Sequence, residues 1–135
     1  MHILIVEDDR TTRHFLRAVL RKNGYSVSTS SDGALALRRL GKEDFDLMLV
    51  DVWLPKMTGL ELLARLKDWP TRPKAVVMTS DGTPETMLKA VREQAYHYIA
   101  KPWDDEDLQD IVREQLTEYV AQSVEDLLPY VPILD

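Results

Sequence analysis

The sequence predicts an α/β fold, a doubly wound parallel sheet of five strands with helices on both faces. The first observation is that short apolar runs alternate along the chain with stretches whose apolar residues stand three and four apart. The second is that glycine, proline and capping residues divide these stretches where helices should begin and end. With 135 residues, the chain is long enough to bury one core.

Five apolar runs are predicted to be strands because each is short and rich in aliphatic or β-branched residues. These runs are His2–Val6, Tyr25–Thr29, Asp46–Val50, Ala75–Thr79 and Tyr96–Ala100. The segments between them have the periodicity of helices that bury one face. Strands and helices therefore alternate from the start of the chain to its last helix.

Residues that begin or end helices support this division. Gly24 and Gly41 each follow basic residues, as glycines at the C-terminal ends of helices do. Thr58 stands three residues before Glu61, which predicts a capping box at the start of the third helix. Thr83-Pro84 predicts an N-cap followed by a first-turn proline for the fourth helix.

The last helix is predicted to be longer than the domain needs. Its apolar periodicity begins near Asp105 and extends to Leu128, and two prolines then leave Pro129–Asp135 as a non-helical tail. We expect residues 1–121 to form the domain and residues 122–135 to form a helical extension and tail. The extension could dock on the domain, pair with a second copy, or lead into an output domain.

Composition excludes several classes of site. The chain has no cysteine, so disulfides, thiolate metal ligands and cysteine nucleophiles are excluded together. The net charge of −6 argues against nucleic-acid binding by this chain, because nucleic-acid modules usually present a basic face. The apolar runs are far shorter than the ~20 residues that cross a membrane, and the N-terminus does not resemble a signal peptide. We therefore expect a cytoplasmic protein without membrane contact.

Polar and charged side chains follow four of the predicted strands. Glu7-Asp8-Asp9 follows the first strand and Asp51 the third, Thr79-Ser80 ends the fourth, and Lys101-Pro102 follows the fifth. In an open α/β sheet, functional groups collect at the carboxyl ends of the strands. Each group alone is ordinary for a loop, but their combination predicts one site.

Three carboxylates, those of Glu7, Asp8 and Asp51, would converge if the strand order is 2-1-3-4-5. They would raise one another's pKa unless a cation neutralised them. An all-oxygen site without histidine or cysteine suits Mg²⁺. Lys101 would add a second positive charge and Thr79 a hydroxyl donor, and an aspartate can accept a phosphoryl group. The residues therefore indicate phosphoryl transfer to an aspartate.

With these motifs the sequence resembles the receiver domains of response regulators in bacterial two-component signalling, in particular single receiver modules like the chemotaxis regulators. The resemblance covers about Met1 to Val120 and has a family-like order and spacing of motifs. The motifs are Ile3-Leu4-Ile5-Val6-Glu7-Asp8-Asp9, Leu49-Val50-Asp51 followed by Pro55 and Gly59, Thr79-Ser80, and Tyr98-Ile99-Ala100-Lys101-Pro102. The resemblance implies the flavodoxin-like receiver fold.

The resemblance also implies roles for the acidic residues. Asp51 is expected to be the phosphoacceptor and Asp8 the direct carboxylate ligand of Mg²⁺, with Glu7 contributing through metal-bound water. The backbone carbonyl of Trp53, two residues past the acceptor, is expected to be a further metal ligand. Asp9 follows this pair, and we expect it to have a structural role.

The remaining motif residues are implied to act on the phosphoryl group. Thr79 and Lys101 are expected to bind its oxygens, and the Lys101-Pro102 bond is expected to be the cis peptide of the family. Tyr98 is expected to be the switch aromatic, which turns inward as Thr79 moves toward the phosphoryl group. The side chains of Trp53 and Asp81 are expected to modulate the lifetime of the phosphorylated state. Arg13 is expected to be solvated on the first helix.

The implied function is that of a phosphoacceptor signalling module rather than an enzyme with a separate substrate. The phosphoryl donor would be a sensor histidine kinase or a histidine phosphotransfer protein. Phosphorylation would switch the face made by the fourth helix, fifth strand and fifth helix, which would signal to an output domain or partner. A homodimer could form through this face or through the C-terminal helix.

Three other functions fit the residues less well. A haloacid dehalogenase-type phosphatase needs a second aspartate two residues after the nucleophile, where this chain has Trp53. A flavodoxin-like flavin binder needs hydroxyls and backbone donors after its first strand, where Glu7-Asp8-Asp9 would repel a phosphate. A degenerate receiver used only as a binding surface stays open, although every group needed for phosphorylation is present.

Overall fold

The computed structural model describes residues 1–80, 83–93, 95, 97–101 and 103–127. Its elements are β1 (His2–Val6), α1 (Arg10–Lys22), β2 (Ser26–Ser30), α2 (Gly33–Leu40), β3 (Leu47–Asp51), α3 (Gly59–Leu66), β4 (Lys74–Thr79), α4 (Pro84–Arg92), β5 (His97–Ala100) and α5 (Asp105–Leu127). All strand pairs are parallel, and the order across the sheet is β2-β1-β3-β4-β5. The predicted doubly wound fold and its strand order are confirmed.

Three strands differ from the predicted bounds by one residue. β2 and β3 each begin and end one residue later than predicted. Before β3, the Asp46 carboxylate accepts a hydrogen bond from the His2 backbone amide at 2.7 Å. β4 begins one residue earlier because Lys74 pairs with Leu47 of β3; its buried side chain donates from Nζ to the Gln115 carbonyl at 3.2 Å. Tyr96, the predicted start of the fifth strand, lies outside the described residues.

The core lies in two layers, one on each face of the sheet. Successive strand residues point to opposite faces, so Ile3 and Ile5 belong to one layer and Leu4 and Val6 to the other. All four side chains are fully buried. Residues of α1 and α5 complete the first layer, and residues of α2 and α3 contribute to the second. Helices thus cover both apolar faces and leave the strand ends available for polar residues.

The predicted helix ends are largely confirmed. Gly24 adopts a φ of 93°, the left-handed conformation that favours glycine, whereas Gly41 ends α2 with an ordinary φ of −77°. Thr58 and Glu61 form the predicted capping box at the start of α3. At the start of α4, the Thr83 hydroxyl accepts a hydrogen bond from the backbone amide three residues later at 3.3 Å.

The last helix is long, as predicted. α5 contains 23 described residues, Asp105–Leu127, and the predicted last residue, Leu128, lies outside the described residues. The predicted tail, Pro129–Asp135, lies outside the described residues. Among the helices that the structure describes, none is long and apolar enough to span a membrane.

Candidate functional site

Three carboxylates come together at the carboxyl edge of the sheet. Glu7 and Asp8 follow β1, and Asp51 ends the neighbouring strand β3. One carboxylate oxygen from each of the three residues lies within 4.8 Å of the other two. Glu7 and Asp51 are buried, whereas Asp8 is exposed. The structure therefore brings the predicted acidic residues into one group that is open to solvent on the side of Asp8.

Asp9 does not belong to this group. It is the N-cap of α1, and its carboxylate accepts hydrogen bonds from both the backbone amide and the hydroxyl of Thr12. These hydrogen bonds lower the pKa of Asp9. The expected structural role of Asp9 is thus the capping of α1, which fixes where the acidic loop ends.

Lys101 joins two of the carboxylates. Its Nζ lies 2.7 Å from Oε1 of Glu7 and 2.7 Å from Oδ2 of Asp51. Its backbone amide donates to the carbonyl of Thr79 at 2.7 Å, which ties the end of β5 to the end of β4. Burial opposes the charge of Lys101, but the hydrogen bonds and charges of Asp51 and Glu7 outweigh burial and raise its pKa.

Glu7 is the most deeply buried member of the group, with no exposed surface. Burial raises the pKa of Glu7 to about 8, and nearby Asp51 adds to this effect while Lys101 opposes it. The second carboxylate oxygen, Oε2, is buried without a hydrogen-bond partner among the described residues. The carboxylates of Glu7, Asp8 and Asp51 offer only oxygen ligands, and Oε2 of Glu7 needs a partner. Such a group of oxygens suits a hard cation such as Mg²⁺.

The backbone after Asp51 folds closely around its carboxylate. Oδ1 of Asp51 accepts a hydrogen bond from the Trp53 amide at 3.0 Å. The Gly59 amide donates to the Val52 carbonyl at 2.8 Å, so the start of α3 packs against the end of β3. A Cβ atom at Gly59 would overlap the carbonyl oxygen of Asp51. The φ of Gly59 is not positive, so backbone conformation does not require glycine there. The close approach of the Asp51 carbonyl does.

The other predicted site residues lie at the same edge or outside the described residues. Thr79 is fully buried at the end of β4 and is paired in register with the last residue of β5. Tyr98 is half-buried in β5 and packs against the core layer under α3. Trp53 is 56% exposed. Asp81 and Pro102, with the expected cis peptide, lie outside the described residues.

The expectation for Arg13 is wrong. This side chain is half-buried, and its Nη1 donates to the backbone carbonyls of Glu7 at 2.9 Å and Asp8 at 3.2 Å. A long side chain in the second turn of α1 can reach back over the loop that precedes the helix. The position of Arg13, four residues after the N-cap Asp9, is the only sequence signal that could have indicated this contact.

A cavity of about 510 Å³ opens beside Lys101 and was not predicted. Phe15 of α1, which is 44% exposed, and Trp103 lie in its lining. The Nζ of Lys101 lies 5.8 Å from the centre of the Trp103 ring, within the range of a cation–π contact. Two aromatic side chains therefore lie in a cavity that adjoins Lys101.

Comparison with known proteins identifies the family. The family model described as the response regulator receiver domain matches residues 3–113. The chain belongs to the response regulator receiver domain family. It is thus a receiver domain of two-component regulatory systems, as the resemblance predicted.

Two relatives of this receiver domain differ greatly in length. It is 33% identical to sporulation initiation phosphotransferase F of Bacillus subtilis, over 84% of this chain and 92% of that protein. It is also 33% identical to the transcriptional regulatory protein ZraR of Klebsiella oxytoca, over 84% of this chain. That match covers only 26% of ZraR, so the receiver chain spans about a quarter of that regulator.

Solved structures agree with this assignment. A CheY-like receiver domain protein from Methanospirillum hungatei has a TM-score of 0.85 and 30% identity, over 90% of this chain and 97% of that chain. The receiver domain of an HD domain-containing protein from Pseudomonas fluorescens has a TM-score of 0.83 and 29% identity, over 89% of this chain and 97% of that chain. The observed strand order is therefore that of the receiver fold.

Proposed function

We propose that this receiver domain accepts a phosphoryl group on Asp51 in a Mg²⁺-dependent reaction. The observation that carries the proposal is the position of Asp51. Its carboxylate ends a buried strand, lies 2.7 Å from the Lys101 ammonium, and shares an acidic group with Glu7 and Asp8. The phosphoryl donor in the cell is proposed to be a histidine of a sensor kinase or of a histidine phosphotransfer protein.

The proposed step is an in-line displacement at phosphorus. A carboxylate oxygen of Asp51 forms the new P–O bond while the P–N bond to the partner's imidazole breaks, and the imidazole recovers the bonding electron pair and takes a proton. Lys101 is close enough to Asp51 to pair with a phosphoryl oxygen as negative charge arrives. The Thr79 hydroxyl is proposed to donate to another phosphoryl oxygen.

The metal is proposed to bind at the acidic group. Asp8, Asp51 and Glu7 would hold it, together with the backbone carbonyl of Trp53. Bound there, Mg²⁺ would neutralise negative charge on the transferred group. The buried, unpartnered Oε2 of Glu7 supports this placement, because a cation would stabilise an oxygen that has no partner among the described residues.

The phosphorylated state is proposed to change the face made by α4, β5 and α5. Thr79 would move toward the phosphoryl group and Tyr98, now half-buried in β5, would turn inward. The phosphoryl group must bind the switched state more tightly than the unswitched state to shift their populations.

Beryllofluoride with Mg²⁺ should therefore shift the NMR resonances of Tyr98. Thr79→Ala should reduce that shift while some phosphorylation persists. Identical Tyr98 resonances with and without beryllofluoride would rule out the switch.

Two comparisons support the proposal. Sporulation initiation phosphotransferase F, whose name describes phosphoryl transfer, matches this chain over 92% of its own length. ZraR is about four times as long as the matched segment, which supports an output domain in some relatives. Residues 1–121 are therefore proposed as the receiver, and residues 122–135 as an extension that could connect to such a domain. The same extension, or the α4-β5-α5 face, is proposed as a contact between two copies.

Intact-mass measurement after treatment with phosphoramidate and Mg²⁺ tests the acceptor. We expect one added phosphoryl group in the parent, none with EDTA, and none in Asp51→Asn. Asp44→Asn is a matched control, since Asp44 is an exposed aspartate before β3, at the opposite edge of the sheet. Undiminished labelling of Asp51→Asn, or labelling that survives EDTA, would refute the assignment.

A further inference from the structure

A second cavity, of about 480 Å³, lies between α1, α2 and the end of the edge strand β2. Its basic lining residues are Arg13, Arg38, Arg39 and Lys42. Among these four residues, Arg13 is the one with a described hydrogen bond to the acidic loop of the proposed phosphorylation site. We infer that this cavity, the β2 pocket, binds a small phosphorylated molecule of about the size of a mononucleotide.

The charge of the β2 pocket is opposite to that of the whole chain. The chain has a net charge of −6, whereas the pocket is lined by four basic residues and one acidic residue, Glu43. Glu43 is already paired, because its Oε2 lies 3.1 Å from Nη1 of Arg39. Arg38 and Lys42 form no salt bridge with any residue that the structure describes. The two uncompensated cations favour a doubly charged anion, and guanidinium groups bind phosphate with two parallel hydrogen bonds.

A buried hydroxyl provides an independent sign of a ligand. Ser30 ends β2, lines the pocket and is only 4% exposed. Its Oγ has no hydrogen-bond partner among the described residues. An unpartnered buried hydroxyl lowers stability, so most such groups have a partner in folded proteins. Because Ser30 lines the pocket, a rotation of its side chain toward the pocket would let a phosphate oxygen supply the missing partner.

The size and shape of the pocket favour an organic phosphate over inorganic phosphate. Its volume of about 480 Å³ lies in the ~300–1,000 Å³ range of small-molecule sites. Leu35 lies in the lining and is 41% exposed, so it offers an apolar contact next to the cations. A molecule with a phosphate at one end and an apolar or planar group at the other would use both surfaces.

The β2 pocket is connected to the acidic loop through two hydrogen bonds to Glu7. The Ser30 carbonyl accepts from the Glu7 amide at 3.1 Å, and the Arg13 guanidinium donates to the Glu7 carbonyl at 2.9 Å. Only one nitrogen of Arg13 makes this contact, so its other N–H groups can donate to a ligand. A ligand in the pocket should therefore change the amide resonance of Glu7 without any phosphoryl chemistry.

Calorimetric titration with ADP and with pyrophosphate, in buffer stripped of divalent cations, tests the inference. We expect both probes to bind the parent, ADP the more tightly, and ADP to shift the Glu7 amide resonance. The double variant Arg38→Gln/Lys42→Gln should weaken ADP binding by about tenfold or more, because it removes two charge-assisted contacts. Arg21→Gln/Lys22→Gln is the matched control: it removes the same charge from exposed residues outside the pocket.

Two further variants test whether ADP binds in the β2 pocket itself. Lys101→Gln should weaken ADP binding far less than Arg38→Gln/Lys42→Gln does, since Lys101 belongs to the proposed phosphorylation site and does not line the β2 pocket. Ser30→Ala should weaken ADP binding without lowering thermal stability, because it removes a hydroxyl that has no partner in the described residues. These outcomes do not depend on whether Asp51 is phosphorylated.

Several results would overturn the inference. They are an absence of binding by both probes, equal losses in the two double variants, and loss of binding in Lys101→Gln but not in Arg38→Gln/Lys42→Gln. Tighter binding of an aspartate-rich peptide than of ADP would also overturn it, because the pocket would then suit an acidic segment of a partner protein.

Discussion

The Nζ of Lys101 lies 2.7 Å from Oδ2 of Asp51, although the two residues are 50 positions apart in the sequence. The same nitrogen lies 2.7 Å from Oε1 of Glu7, so one ammonium group is shared by two buried carboxylates. When both carboxylates are ionised, two negative charges next to one positive charge leave an excess of negative charge, and burial together with Asp51 raises the pKa of Glu7 to about 8. A second cation would remove this excess, and this is the physical basis for metal binding at the site.

Lys101→Gln is expected to destabilise the metal-free protein. It leaves Glu7 and Asp51 close together without their shared cation, and breaking a buried ion pair in this way costs about 1–3 kcal/mol when the lysine is partly exposed. Urea unfolding in EDTA measures the loss, and Mg²⁺ should restore most of it. Lys89→Gln, the same change at an exposed residue of α4, should have almost no effect. Similar losses for both variants would contradict the role of the shared ammonium.

The stability of the metal-free protein is expected to fall as pH rises from about 4.5 to about 8. The pKa of Glu7 is raised by burial from 4.5 to about 8, so within this window the folded protein binds more protons than the unfolded chain. The pKa of Lys101 is raised above 10.5, so this residue stays charged throughout the window and adds no slope. Unfolding free energies in EDTA at about pH 5 and about pH 8 should differ in the parent and much less in Glu7→Gln. A parent whose stability rises over this range would contradict the burial of Glu7.

The sequence was sufficient to predict which carboxylates meet. Parallel strands share one carboxyl edge, so residues that directly follow β1 and β3 must lie near each other once the strand order is known. The same reasoning placed Thr79 and Lys101 beside them, at the ends of β4 and β5. Helix ends were predictable because capping residues such as Thr58 act within one turn of chain.

Contacts made by long side chains were not predictable. Arg13 could have extended into solvent, and only the folded loop shows that two backbone carbonyls lie within its reach. The β2 pocket joins Arg13 of α1 with Arg38 of α2, which are far apart in sequence and approach each other only across β2. Lys56 adopts a φ of 70°, unusual for a residue other than glycine, and no residue near it in the sequence indicates this. Such features depend on the assembled structure rather than on local pattern.

Asp8→Asn is expected to weaken Mg²⁺ binding by about tenfold or more, because it removes the negative charge of a proposed direct ligand. Asp9→Asn should change the affinity little. Asp9 is used to cap α1, and asparagine caps helices about as well as aspartate. Tryptophan fluorescence of the exposed Trp53 can follow both titrations. Equal losses in the two variants would mean that the ligand assignment after β1 is shifted by one residue.

Gly59→Ala is expected to destabilise the protein by about 2 kcal/mol and to reduce phosphorylation of Asp51. The added Cβ would overlap the Asp51 carbonyl oxygen, so β3 and α3 would have to move apart. Gly41→Ala is the matched control, because its Cβ would lie 3.6 Å from the nearest atoms, at an ordinary contact distance. Chemical unfolding and phosphoramidate labelling measure the two effects. An unchanged Gly59→Ala variant would contradict the close packing of α3 against the acceptor strand.

The phosphorylated state is expected to decay slowly, over minutes or longer, because of Trp53. An acyl phosphate is lost when water attacks phosphorus in line, and groups beside that approach control the rate. The amide of Trp53 is bonded to the Asp51 carboxylate at 3.0 Å, while its indole is 56% exposed and can lie over the acceptor. An indole obstructs water and has no acceptor oxygen with which to orient it for attack, whereas the asparagine side chain has one. Because a tenfold change in rate needs only ~1.4 kcal/mol of barrier, Trp53→Asn should speed decay by about tenfold.

This lifetime is measured by phosphorylating the protein, removing the donor and following the loss of phosphoprotein by intact mass. Trp69→Asn is a control for the loss of one tryptophan, since Trp69 follows α3 and lines a cavity beside the start of β4. It should decay at the rate of the parent if it remains folded, which circular dichroism checks. Decay of the parent within seconds, or an unchanged rate in Trp53→Asn, would show that the indole does not shield the acyl phosphate. An equal acceleration in Trp69→Asn would assign the effect to general loosening of the fold instead.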